Sequence, residues 1–275
     1  MTRTFAALAT MTLGLIAGST SAFADESHVR GTLDSYSLQL ISAASPNTPA
    51  PSDATVRSQQ SEIITYWSKF GVKIVPDTTI ERITLTQNND NALMILDEIE
   101  RPAAGTVAVV VHNMRTMSCY EARDTIVINR DKDCAAHEFG HALGLGHSTG
   151  FLSGFGMSEY GNLHSVMGSG NGRPDVSQLE SLDMITPARQ PTEDRIGLKR
   201  SGMTNIAVAW DRKHGRCYIE ARGSELISYS TSDLRTTIAG TPIRLGQTRL
   251  ACGQWVTLDR ITERYLVLDV RPASF

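Results

Sequence analysis

His137-Glu138-Phe139-Gly140-His141-Ala142-Leu143-Gly144-Leu145-Gly146-His147 is the stretch of this 275-residue chain whose residue types and spacing add up to chemistry. His137 and His141 are four apart, so a helix would point both imidazoles the same way, at one metal ion. Glu138 flanks the first ligand and is placed to act on a metal-bound water, not on the metal. Gly144 follows the second histidine by three. A helix ends readily there, because glycine takes the left-handed conformation at low cost. The chain can then turn back and bring His147 to the same ion. Three neutral imidazoles leave a fourth tetrahedral position for water, the arrangement of a catalytic zinc. In a chain of this composition H-E-x-x-H arises by chance on the order of 10⁻² times, and the extended pattern on the order of 10⁻⁵ times. The bland alternative is three surface histidines on a helix and its following loop.

These residues need elements to hold them. Asp131 or Asp133 can cap a helix running to Leu143, with Ala136, Phe139, Ala142 and Leu143 on its apolar side. Upstream, Tyr36 to Leu40 alternates like a strand. Ser52 or Asp53 can cap a helix to about Lys69, ended by Gly71, and Val72 to Val75 reads as a strand. Asn91 to Glu100 reads as helix, and Thr106 to Val111 and Thr125 to Asn129 read as buried strands. The run from Gly144 to Gly172 is too rich in glycine for long regular structure, and Asp175 to Ile185 returns to helix. From about 204 onward only short strands are predicted. The domain reading is 1–24 signal peptide, 25–50 N-terminal segment and candidate pro-segment, 51–188 catalytic domain, 189–203 linker and 204–275 small β-rich accessory domain.

Arg3, the apolar run Phe5 to Ala17 and the small-x-small pattern Ala22-Phe23-Ala24 give the signal peptide, cut after Ala24. No later run approaches a membrane-spanning length, so no stable membrane anchor is expected after cleavage, and the protein is expected to be secreted or periplasmic. Export would expose Cys119, Cys134, Cys217 and Cys252 to an oxidising compartment. Of the three pairings, Cys119–Cys134 with Cys217–Cys252 is favoured because each closes a modest loop within one region. Each would stabilise by roughly 3–4 kcal/mol. No C-x-x-C spacing suggests a cysteine metal site. Lys and Arg total 26 against 29 Asp and Glu, a net charge of −3, so no basic excess is available for nucleic acid. With 41% apolar and 20% charged residues, global disorder is excluded. Nothing in the sequence sets the oligomeric state.

Ser165-Val166-Met167-Gly168 follows His147 by twenty residues. Together with H-E-x-x-H-x-x-G-x-x-H it resembles the metzincin clan of zinc endopeptidases. His147-Ser148 and the helix after Met167 resemble the matrix-metalloprotease-like branch. The resemblance is specific from about 131 to 186 and says nothing of 204–275. It implies an α+β fold: an α/β-like upper subdomain with a twisted mixed sheet and the site helix, then an irregular lower subdomain with a Met-turn. The small all-β C-terminal domain would follow. It also implies zinc on His137, His141 and His147, with Glu138 taking a proton from the zinc-activated water and passing it to the leaving amine. Met167 would be a packing floor. A protein or peptide substrate would lie along a strand edge somewhere between Val107 and Asn129. Its side-chain pocket would be built largely from 168–173.

The departures are specific. Astacin-like and serralysin-like members place a tyrosine where Ser169 stands, so no tyrosine ligand is expected from the turn, and nothing in the sequence aims Tyr160 at the metal. No calcium-binding β-roll repeats are present. No cysteine precedes residue 53 in the exported chain, which excludes a cysteine switch and leaves Asp25, Glu26 or Asp34 as a carboxylate mask. His164 is a loop residue or a cleft lining, His28, His112 and His214 have no metal spacing, and Trp67 is expected in the core. The expected activity is zinc-dependent endopeptidase. The alternative is a secreted surface- or ligand-binding protein with a vestigial or structural zinc site.

Overall fold

Val107-Ala108-Val109-Val110-Val111 has no polar position, and only a strand covered on both faces can bury such a run. It forms the heart of the main sheet. The computed structural model describes residues 35–87, 92–114, 119–122, 124–152, 156–170, 172–189, 194–213, 215–232 and 236–273. The predicted signal peptide, Asp25, Glu26, Asp34, His28 and His214 lie outside them. In chain order come β1 (Tyr36–Ala44), α1 (Asp53–Trp67), β2 (Ile74–Val75), β3 (Glu81–Thr84), α2 (Ala92–Asp97), β4 (Thr106–His112), β5 (Cys119–Ala122), β6 (Thr125–Asn129) and α3 (Ala135–Ala142). Then follow β7 (Ser148–Leu152), β8 (Gly156–Ser158), α4 (Val176–Ser181), β9 (Ala188–Arg189), β10 (Arg195–Lys199), β11 (Ala207–Arg212) and β12 (Gly215–Arg222). The chain ends with β13 (Glu225–Thr231), β14 (Thr237–Ala239), β15 (Thr248–Ala251), β16 (Gln254–Ile261) and β17 (Tyr265–Pro272).

The fold is mixed α and β, rich in sheet. The first sheet runs β2-β1-β4-β6-β5, with β3 also on β1. Its pairings are parallel except that β5 lies antiparallel on β6, at the edge. Alternation sorts its two faces. Leu38, Leu40, Val107, Val109, Val111, Ile126 and Ile128 pack with α1 and α3. Ile41, Ala43, Ala108, Val110 and Val127 pack with Ile95 and Leu96 of α2. α1 starts where the Ser52 hydroxyl accepts from Thr55 N–H at 3.2 Å. Trp67, at its far end, is fully buried and donates its ring N–H to Ala136 O at 2.9 Å, as expected of a core residue.

Within the stretch 25–50, residues 36–44 form β1, which pairs with β4 on one side and with β2 and β3 on the other. The linker 189–203 contains a strand, β10, which pairs along its length with β17. Residues 204–275 also pair with strands outside those bounds. With β10 their strands form a four-stranded sheet, β10-β17-β16-β15, and they supply four strands of a seven-stranded one, β8-β7-β14-β13-β12-β11-β9. The second sheet takes in β7 and β8 from the segment just after His147. Its faces alternate again. Val208, Cys217, Ile219 and Leu226 face the small sheet. Ala207, Ala209, Tyr218, Ile227 and Tyr229 face Val176 and Leu179 of α4. A sheet buried on both sides cannot be parted from its neighbours without exposing one face to water.

Both expected disulfides are present, Cys119–Cys134 and Cys217–Cys252, which suits an oxidising, extracytoplasmic environment. Among the described residues no helix is long and apolar enough to cross a membrane.

Candidate metal centre

α3 is shorter than the predicted helix from 131. Its first turn is set by Cys134, tied through its disulfide to β5, and by Glu62 of α1, whose carboxylate accepts from Ala136 N–H at 3.0 Å. The far end follows the expectation. Gly144 is left-handed at φ 85°, its N–H donates to His141 O at 2.7 Å, and Leu145 N–H reaches Gly140 O at 3.0 Å. This closure turns the chain back on the helix, and His147 returns to the first two histidines.

The ring centroids lie 4.8 Å apart for His137 and His141, 4.6 Å for His141 and His147, and 5.5 Å for His137 and His147. One ligand atom from each falls within 4.8 Å of the others. The Nε2 atoms of His137 and His141 are 3.1 Å apart, near the roughly 3.3 Å that separates two nitrogen ligands of one tetrahedral ion. Each outer nitrogen is occupied. His137 Nδ1 meets Val166 O at 2.6 Å, His141 Nδ1 meets Leu145 O at 2.8 Å, and His147 Nδ1 meets the Glu159 carboxylate at 2.5 Å. A carbonyl can only accept, so Nδ1 of His137 and His141 carries the proton and Nε2 is left with a bare lone pair. Two bare lone pairs facing each other at 3.1 Å repel unless a cation stands between them. The donor set therefore fits a metal ion of the imidazole-binding kind. Burial pushes His141 down to about 3 and lowers His137, which keeps both in the neutral, ligating form.

Glu138 is buried and lines a cavity of about 520 Å³ with His137, Tyr160, Cys119, Glu62 and the turn Val166–Gly168. Burial, with the Glu121 carboxylate nearby, pushes it up to about 8; a cation at the three imidazoles would act in the opposite direction. Met167 is fully buried beneath α3. A Cβ on Gly140 would stand 2.3 Å from its sulfur.

The glycine run serves close approach. A Cβ on Gly168 would lie 2.2 Å from Asn162 O and 3.1 Å from Ser148 O, and one on Gly161 only 2.1 Å from Gly150 O. Backbone cannot step aside as a side chain can. Gly168→Ala is expected to cost about 1–3 kcal/mol, read as a lower urea midpoint, and to weaken metal binding because Ser148 adjoins His147.

A buried polar cluster fastens this loop to the C-terminal strands. Thr237 of β14 pairs in parallel with Ser148, and its N–H donates to His147 O at 3.2 Å. The Asp175 carboxylate, wholly buried, accepts from Asn162 Nδ2 at 3.0 Å, from Arg222 at 3.2 Å and from the hydroxyls of Ser148 and Thr237. Arg222 also donates to Arg173 O at 3.0 Å, Pro174 O at 3.0 Å, His164 O and the buried Glu220 carboxylate at 2.7 Å. Its guanidinium sits where a cage of carbonyls and carboxylates would otherwise call for a cation. Arg173 pairs with Glu220 as well, so two guanidiniums balance two carboxylates.

The structure thus brings His137, His141 and His147 together, and Glu138 shares a cavity with His137. His164 is exposed and does not line the cavity. His112 is buried in the sheet, its Nδ1 accepting from Met114 N–H at 3.2 Å. Tyr160, which nothing in the sequence aimed at the site, lies over it, 4.2 Å from the His147 ring centroid. Glu159 was not anticipated either, since neither residue has a fixed spacing from the histidines. No family model matches the chain, and no curated protein or solved structure matches it.

Proposed function

We propose that the protein is a zinc-dependent endopeptidase of the metzincin type acting outside the cytoplasm. The observation that carries this is the convergence of three imidazoles whose outer nitrogens are all occupied, with the buried carboxylate of Glu138 sharing a cavity with the first of them, His137. Zinc held by His137, His141 and His147 would supply a Lewis acid that acidifies water and polarises a carbonyl. Glu138 takes the proton of the attacking water and returns it to the departing amine. Val166, Leu145 and Glu159 hold the rings in the ligating orientation. β5 lies at the sheet edge, and Cys119 at its start lines the cavity, so an extended peptide can pair with β5 and present a bond to Glu138. Of the edges expected between Val107 and Asn129, this is the one that supports the reading.

The test is metal analysis and digestion on the same folded, exported protein. One equivalent of zinc is expected. Casein cleavage is expected to stop with 1,10-phenanthroline and to return when zinc is added. Folded protein without metal, or cleavage that persists in the chelator, overturns the proposal. Bound zinc with no cleavage of a mixed peptide library would assign the chain a binding role with a structural metal.

A further inference from the structure

Tyr160 lies beside the three-histidine cluster. Its ring centroid is 4.2 Å from that of His147 and 5.8 Å from that of His137, and the residue lines the cavity that Glu138 opens into. It is 42% exposed, so burial alone gives little reason for a large aromatic there. Among the described residues no group hydrogen-bonds its hydroxyl. Its backbone, by contrast, is fastened from several sides. The Ser169 hydroxyl, two residues past Met167, donates to Tyr160 O, so the turn beneath the metal holds the main chain of the residue above it. Gly161 N–H donates to Ser158 O at 2.9 Å, and the Gly161 backbone is pressed against Gly150 of β7 with no space for a side chain. Glu159, next in sequence, is bonded to His147 Nδ1. A phenol on an anchored stretch of backbone thus offers an unused O–H donor beside the site.

In amide hydrolysis the attacked carbonyl oxygen gains negative charge. Hydrogen-bond donors fixed in advance where that charge grows accelerate such reactions by about 10²–10³-fold. We infer that the Tyr160 hydroxyl is a catalytic hydrogen-bond donor to the substrate's carbonyl oxygen, sharing with the metal the charge that develops there. The phenol keeps its proton throughout, and no bond to Tyr160 forms or breaks. The inference rests on the endopeptidase proposal.

The test uses the full zinc-loaded chain and a fluorogenic peptide taken from its casein digest. Tyr160→Phe keeps the ring and removes the donor. It is expected to lower kcat about 10²-fold while KM stays within about twofold. Zinc content and Tm are expected to be unchanged. A phosphinic peptide of the same sequence, a tetrahedral mimic, is expected to bind more weakly by the same factor in calorimetry, while the cleaved product peptides bind as before. Wild-type kcat and phosphinate affinity, or a loss confined to KM or to zinc content, would overturn the inference. Ser169→Ala, which frees the Tyr160 carbonyl without touching the ring, provides a second variant: a fall in kcat at constant KM supports the inference, and an unchanged kcat counts against it. Glu138→Gln on the same peptide separates the two levels. If it is inert while Tyr160→Phe is normal, only the role of Tyr160 falls. If it is fully active, the endopeptidase proposal falls too.

Discussion

Glu138→Gln is expected to fold, to hold one equivalent of metal and to cleave peptide about 10²–10⁴-fold more slowly than the parent protein. Glutamine keeps the size and reach of glutamate but cannot take a proton from water. The metal should stay because the three imidazoles are anchored by Val166, Leu145 and Glu159, none of which touches Glu138 in the hydrogen-bond network described. Stability should not suffer, since Glu138 is a buried carboxylate with its ionisation disfavoured by burial and by Glu121. A neutral amide at that position spares the desolvation of a charge. The comparison is metal content, urea midpoint and turnover on one preparation. Undiminished turnover, or loss of metal along with turnover, would contradict the assignment of Glu138 as a proton carrier.

Arg222→Met is expected to destabilise the protein by about 3–5 kcal/mol, because it leaves the buried Asp175 carboxylate without its cation, while Glu220 keeps only Arg173. The side chains of Asp175 and Glu220 are both inaccessible, and that of Arg222 is 8% exposed. Three carbonyls, of His164, Arg173 and Pro174, lose a donor at the same time. Arg222→Lys keeps the charge but cannot reproduce the planar fork that reaches carbonyls and carboxylates together, so it should fall between. The damage should reach the metal, since Asp175 also holds Ser148 and Thr237, whose strands fix the backbone at His147. Competition with a chromogenic chelator is expected to show weaker metal binding in Arg222→Met even under conditions where most molecules are folded. Unchanged stability and affinity would show that the cluster braces nothing.

What could be read from sequence was what is local. His137 and His141 are one helical turn apart and Gly144 marks the reversal, so the ligands needed only helix geometry. Each disulfide closes a short loop, and the β-branched runs at 106–111 and 125–129 announce buried strands. What could not be read was pairing across distance. The C-terminal strands are visible as alternating runs, but nothing in Thr237 says that its neighbour is Ser148. β1 looks like an N-terminal preamble until β4 is found beside it. Asp131 and Asp133 are good helix caps by type, yet a cross-link at Cys134 and a carboxylate from α1 decide where α3 begins. Tyr160 was hidden because its place depends on how a glycine-rich loop folds back, and no periodicity governs that.

The parallel contact between Ser148 and Thr237 joins residues 89 positions apart. While the chain is still being made, the first two histidines can sit on their helix long before the strand that steadies the third has emerged. Nascent or truncated forms ending short of residue 237 carry the ligands but lack the brace. In the hydrolytic centre proposed here, the backbone beside the third ligand is therefore braced only after residue 237 has joined the fold.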